Sequence, residues 1–247
     1  MGNLQSMQPR KKWRSNGTTE FVTIDMGSAV ACNGLALIGH NLTSAATLRV
    51  RGATTAGGVT SAPTVDTTAV SAWPVTGKPA DANWPQYLSW VSWNSATLRY
   101  WQLDIADAGN AAGYLEAGRL MLGAYWQPTF NFDLGGSPLA RDQKDVQVIT
   151  DYGHVFTDRR NASAPRLFAL QISGEDLRSV QDGVGEVMRL RGMWGDVACL
   201  LDPSATTDFH RQSMQAVFST PQVHNLLPQF TVNGPMYSVP LNFREVP

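Results

Sequence analysis

Four histidines, His40, His154, His210 and His224, are the side chains best suited to hold a metal or move a proton near neutral pH. They lie in four different segments, and none has a second histidine two or four residues away. No local zinc signature follows, and polar satisfaction or surface exposure is the expected role of each. Asp104, Asp107 and Glu116 are close enough in sequence to be considered as a glycosidase pair, which must face one scissile bond. Their spacing across strands and the loop between them is ordinary for a β-rich segment. Asp107-Ala108-Gly109-Asn110 offers the carboxylate and amide oxygens that Ca²⁺ takes, while an acidic turn between strands accounts for the same residues and is the favoured reading.

Neither a G-x-S-x-G elbow nor an H-E-x-x-H helix occurs, and Gly34, Gly57 and Gly58 do not form a phosphate-cradling loop. Cys32 and Cys199 sit in separate apolar segments, where buried free thiols are favoured over a disulfide. The expectation is a non-enzyme with no cofactor and no assigned catalytic, cofactor-binding or metal-binding residue. Aromatic side chains remain. Trp73, Trp84, Tyr87, Trp90 and Trp93 fall in or beside a stretch punctuated by Pro74, Pro79 and Pro85. Such rings stack on sugars, fill a core, or bury against another subunit. Core or subunit contact is favoured, and no ligand-binding set is assigned.

The elements that must position these residues are mostly strands. Phe21 to Met26 alternates, with Gly27 and Ser28 expected to turn the chain, and Leu35 to Ile38 is a continuous apolar run suited to a strand buried on both faces. Leu48 and Val50 alternate with Arg49 and Arg51. Residues 53–69 read as a polar, small-residue loop. The prolines exclude a central strand between Trp73 and Trp93 and predict long loops there. Trp101, Leu103 and Ile105 alternate with Tyr100, Gln102 and Asp104, and Leu115 to Leu122 predicts one more strand. Core positions are expected at Leu37, Ile38, Leu103, Ile105, Leu120 and Leu122.

A boundary is expected near Gln127-Pro128, with a linker over 127–143 carrying Gly135, Gly136 and Pro138. Beyond it a strand through Phe168, Leu170 and Ile172 precedes a helix opening at Ser173-Gly174-Glu175-Asp176. That helix would present Leu177, Val180, Val184, Val187, Met188 and Arg191 at a period of ~3.6 and stop at Gly192. Strands follow at Val197–Leu201, Met214–Phe218, Gln229–Val232 and Tyr237–Phe243. The whole is mainly β: a β-sandwich over 1–126, with a solvated arm over 1–12, then a smaller α+β domain over 144–247 with one main helix.

Charged residues make up 16% of the 247 residues and the net charge is −1, which argues against a general nucleic-acid or anionic-membrane binder. The cluster Arg10, Lys11, Lys12 and Arg14 is short and isolated. No apolar segment has the ~18 residues of a membrane span, and MGNLQSMQPRKKW has no signal-like apolar region. A soluble protein made in a cytosol is expected.

Several motifs together carry a resemblance. Trp13-Arg14-Ser15 precedes Ile24-Asp25-Met26-Gly27, where Met26 replaces the usual Leu of a D-L-G strand end. Gly39-His40-Asn41-Leu42-Thr43 leads into Ala46 to Arg51, and Arg99-Tyr100-Trp101, Ile105-Ala106-Asp107 and Gly118 to Gly123 follow. Their order over residues 13–126 resembles the discoidin-like, galactose-binding-like jelly roll in the form found in tail proteins of tailed bacteriophages. The resemblance implies a structural protein of a virion's distal tail or baseplate, synthesised in the host cytoplasm. Its partners would be other tail proteins and copies of itself in a ring-like assembly, with the 237–246 strand as a free edge for a neighbour. The alternative it allows is a carbohydrate-binding module contacting host-surface glycans.

Overall fold

The computed structural model describes residues 2–74, 77–79, 84, 86–133, 139–142, 146–149, 155–158, 164–219, 229–231 and 234–246. Pro85, Gly135, Gly136, Pro138, His154 and His224 lie outside the described residues. The chain divides into two compact units, one made of 1–125 with 198–215 and the other of 126–197 with 216–247. Among the described residues no helix is long and apolar enough to cross a membrane.

The first unit is built on two long antiparallel strands, Thr19–Ile38 and Leu88–Ala106. Phe21 to Asp25 alternates as the sequence predicts, but Gly27 and Ser28 do not turn the chain. The strand runs on, and its register against the partner shifts between Asp25 and Val30 and again between Cys32 and Gly34. Such irregularities bend a ladder. At one end Tyr100–Ala106 is flanked by Thr47–Ala53 and 19–25. At the other, 34–38 is flanked by 88–92 and Arg119–Gly123. Val22, Leu48, Val50, Trp101, Leu103 and Ile105 from the first end pack with Leu35, Leu37 and Val91 from the second in one apolar cluster. The result is a mainly β, sandwich-like unit whose core lies between two parts of one bent ladder.

Several expectations need correction. Trp90 and Trp93 are not loop residues: they belong to the strand Leu88–Ala106, where Trp90 pairs with Ala36 and Trp93 lies at a register shift. Pro74 and Pro79 leave it intact because the strand begins beyond them, at Leu88. Residues 53–69 are partly ordered, with a helical turn at Gly58–Ser61 and with Val65–Asp66 paired to the Thr47–Ala53 strand. The N-terminal arm is not solvated throughout. Leu4 is buried in the core, Trp13–Arg14 pairs with Glu116–Ala117, and the Lys12 ammonium donates to the Gly39 carbonyl at 2.7 Å. Segment 198–215, expected with the C-terminal half, belongs to the first unit because Phe209 packs with Ala36, Ile38 and Leu88 on the other face of the ladder.

In the second unit Arg166–Glu175 pairs along its length with Gly234–Glu245, and Phe168, Leu170, Ile172, Val239, Leu241 and Phe243 are buried. The C-terminal strand is therefore not a free edge along its whole length: 243–245 pairs with 216–218, and 234–236 with 229–231. The helix opens later than the sequence predicts, since the strand continues through Glu175. The Asp176 carboxylate accepts from the Ser179 amide at 2.7 Å, and a wide π-type turn, Ser179–Gly185, leads into Glu186–Arg191. Only Val180 and Val184 of the expected apolar stripe are buried, and Gly192 ends the helix as expected. Described parts of 127–143 are tied to this unit. The Glu175 carboxylate holds the amides of Thr129 and Phe130, and Leu139–Arg141 pairs with Arg166–Glu175.

Of the expected core residues, Leu37, Ile38, Leu103 and Ile105 are buried, whereas Leu120 and Leu122 are only partly so. Leu103→Ala should therefore cost about 2–5 kcal/mol of unfolding free energy and Leu120→Ala clearly less, measured by urea denaturation.

Candidate functional site

One end of the first unit gathers His40, Trp73, Lys78, Trp84, Tyr87 and His210. Ala72 and Trp73 follow the short strand Val70–Ser71, which pairs with Thr47–Ala53, and this places the Trp73 indole inside the fold. Its Nε1 donates to the Thr43 carbonyl at 2.6 Å. The His40 ring stands edge-on to Trp73 at 5.1 Å between centroids, and Tyr87 stands edge-on to Trp73 at the same distance. The Lys78 ammonium lies 5.7 Å from the Trp73 ring and 5.4 Å from the Tyr87 ring. Segment 198–215 completes the group: Trp84 meets His210 edge-on at 4.7 Å.

These residues border a small open hollow with room for little more than a water molecule, lined by Trp73, Pro74, Gly77, Pro79 and Leu88 on one side and by Thr206, Asp208, Phe209 and His210 on the other. Asp208 adopts a left-handed backbone, φ +57°. Aspartate tolerates that conformation better than most residues, yet a non-glycine residue there warrants attention when it borders a cavity. Its carboxylate stays largely exposed and lies 3.6 Å from the Arg211 guanidinium.

The histidines identified in the sequence have different roles. His40 is buried, its Nε2 2.9 Å from the Ser89 hydroxyl, which in turn donates to the Ala72 carbonyl. Burial, reinforced by the positive charges of Lys78 and Lys12, pushes its pKa down to about 3. His40 is therefore neutral at physiological pH and is a strut, not a proton carrier. His210 lines the hollow. Among the described residues no group of three or more His, Cys, Asp or Glu could hold a metal.

The carboxylates considered for catalysis are committed to the fold. Asp104 accepts two hydrogen bonds from the Arg51 guanidinium, each at 2.9 Å. Glu116 is raised by burial but lowered further by Arg14 and Lys12, leaving it below the ordinary carboxylate range. Asp107 accepts from the Thr43 amide and hydroxyl and from the Asn110 side-chain amide, so its oxygens close a turn in the way the sequence favours. Cys32 and Cys199 are buried and free, and burial pushes the Cys32 thiol up to about 11, away from nucleophilic reactivity. Sequence reasoning placed Trp73, Trp84 and Tyr87 correctly in a loop cluster but missed Asp208 and Phe209. Nothing local in D-F-H-R announces that this segment meets residues more than a hundred positions earlier.

The class defined by this architecture is a mainly β chain with a sandwich-like first unit and an α+β second unit. No protein-family model matches the sequence, and no curated protein matches it. Solved structures similar to the chain include three carbohydrate-associated proteins. One is chitosan-binding module 1 of a chitosanase/glucanase from Paenibacillus sp. IK-5, 13% identical over 46% of this chain and 76% of that one, with a TM-score of 0.30. Another is module CBM32-1 of a family 31 glycoside hydrolase from Clostridium perfringens, 12% identical over 50% and 83%, with a TM-score of 0.31. The third is a fucolectin from striped bass serum, Morone saxatilis, 10% identical over 95% and 79%, with a TM-score of 0.30.

The buried neutral His40 gives stability a defined pH dependence. Between its ordinary value of 6.5 and about 3, the unfolded chain binds a proton that the fold refuses. Stability should be complete above about pH 6.5 and fall with acidification, by up to about 1.4 kcal/mol per pH unit. Between pH 6.5 and about 5.5, above the range in which the unfolded chain's carboxylates take up protons that Asp25, Asp66, Glu116 and Glu186 refuse in the fold, His40→Gln should flatten the slope in chemical denaturation.

Proposed function

We propose that this protein is a non-enzymatic carbohydrate-binding protein that meets a sugar at the surface of the loop end of its first unit. The observation that carries this reading is the set of aromatic and polar side chains gathered around the small hollow there. Its wall includes Trp73 and Phe209, Asp208 lies on its rim, Thr206 and His210 are beside it, and Lys78 stands close to the Trp73 ring. Trp73 and Phe209 are nearly buried, so a pyranose would meet their edges with its apolar C–H groups, while the exposed Asp208 carboxylate accepts hydrogen bonds from adjacent hydroxyls. The engaged carboxylates of Asp104, Asp107 and Glu116 support binding without hydrolysis.

A structural role in a phage tail, through contacts with copies of itself and other tail proteins, is the second reading. One observation bears on the assembly it requires, though not on a phage origin. Among the described strands none pairs with the outer edge of 19–25, and Phe21 on that segment is 55% exposed. An open strand edge with an exposed aromatic is a template for another chain.

A glycan array probed with the full chain, followed by titration of tryptophan fluorescence with the best sugar, should reveal a saturable site. Asp208→Ala should weaken binding by about 1.5–3 kcal/mol, the worth of hydrogen bonds to a charged group, without altering the fold. If no sugar binds and light scattering instead finds a defined oligomer that Phe21→Lys dissociates, the assembly reading replaces this one.

A further inference from the structure

The second unit displays apolar side chains at one turn, directly after its helix. Trp194 is 76% exposed, Leu190 57% and Met193 49%. Fraying does not account for this, because the turn is closed by backbone hydrogen bonds from the Gly192 amide to the Met188 carbonyl at 2.7 Å and from the Gly195 amide to the Arg191 carbonyl at 2.8 Å. Both glycines are required. Gly192 sits at φ +54°, and a Cβ on Gly195 would lie 2.6 Å from the Arg191 carbonyl oxygen. The backbone is thus fixed in a shape that leaves Met193 and Trp194 in water, at a hydration cost of roughly 25 cal/mol per Å² of apolar surface.

The geometry points to this turn as an anchor that inserts into the interfacial region of an anionic phospholipid bilayer. Two observations select that occupant. Tryptophan with leucine and methionine is the side-chain set that partitions to the boundary between headgroups and acyl chains. Arg191 is exposed at the same turn, and the Arg189 guanidinium is held against Glu186 at 2.6 Å, so the charge left over at the turn is positive and complements anionic headgroups. The net charge of −1 rules out general electrostatic adhesion, so attachment depends on apolar insertion at this one place, with Arg191 adding selectivity. This anchor is independent of the sugar-binding hollow in the first unit.

The test is co-sedimentation of the full chain with vesicles of phosphatidylcholine alone and of phosphatidylcholine mixed with phosphatidylglycerol. Binding is expected on the mixed vesicles. Trp194→Ser should weaken it at least about tenfold, which corresponds to ~1.4 kcal/mol, and Arg191→Glu should weaken binding to mixed vesicles while leaving any binding to phosphatidylcholine unchanged. Thermal unfolding of both variants should match the parent, since both side chains are exposed. Met193→Ser serves as a second insertion variant should Trp194→Ser fold poorly. Failure to sediment with either vesicle, or undiminished binding by the insertion variants, overturns the proposal. So does a parent oligomer that Trp194→Ser dissociates without any vesicle binding, which would make the turn a protein contact.

Discussion

The backbone ladder between Thr19–Ile38 and Leu88–Ala106 is the constraint on which the first unit depends. Two strands of 20 and 19 residues could form a flat ribbon, with apolar surface left in water. The two register shifts prevent this. They let Val22, Leu103 and Ile105 pack in the same cluster as Leu35, Leu37 and Val91, although these groups lie at opposite ends of the ladder. Beyond the shifts, 35–38 has neighbours on both sides and uses both of its faces. Leu35 and Leu37 enter the main core, while Ala36 and Ile38 form the second cluster with Phe209. That second face brings segment 198–215, and with it Asp208 and His210, to the Trp73 loops.

Charge is handled differently at the surface and in the interior. On the outer face of the ladder, Arg49–Asp66 and Arg99–Asp25 are exposed pairs that contribute little stability each, while the bidentate Arg51–Asp104 pair is partly buried. Interior polar groups are tied into networks instead. Asp107 joins the Thr43 backbone to the Asn110 turn. In the second unit Glu175 binds Thr129, Phe130 and Ser179, while Arg166 pairs with Glu245 at 2.7 Å with both side chains almost fully buried. Removing one member of such a pair leaves an uncompensated buried charge, which is far costlier than losing a surface contact.

The two candidate binding features are built on opposite principles. The hollow draws residues far apart in sequence to one place, and its character comes from Trp73, Asp208 and His210 standing side by side. The Leu190–Trp194 turn is wholly local: a helix end, two glycines and the side chains between them.

Local pattern in the sequence determined most of the elements and the mainly β class. The alternation of Trp101, Leu103 and Ile105 marks a half-buried strand, the run Leu35–Ile38 a strand buried on both faces, and Gly192 a helix end. Each is set by neighbours within a few residues. The sequence also allowed the acidic turn at Asp107–Asn110 and the free state of both cysteines to be anticipated. Tertiary structure alone decided where long-range partners compete with local preference. Gly27-Ser28 reads as a turn, but cross-strand pairing on both sides of it carries the strand through with a register shift. Trp90 and Trp93 read as loop aromatics, but strand pairing places them in the central ladder. The C-terminal strand reads as an edge until 216–218 pairs with its far side. Asp208 joined the candidate site for the same reason: Phe209 gains burial on a face formed by residues more than a hundred positions away, and no local periodicity encodes that contact.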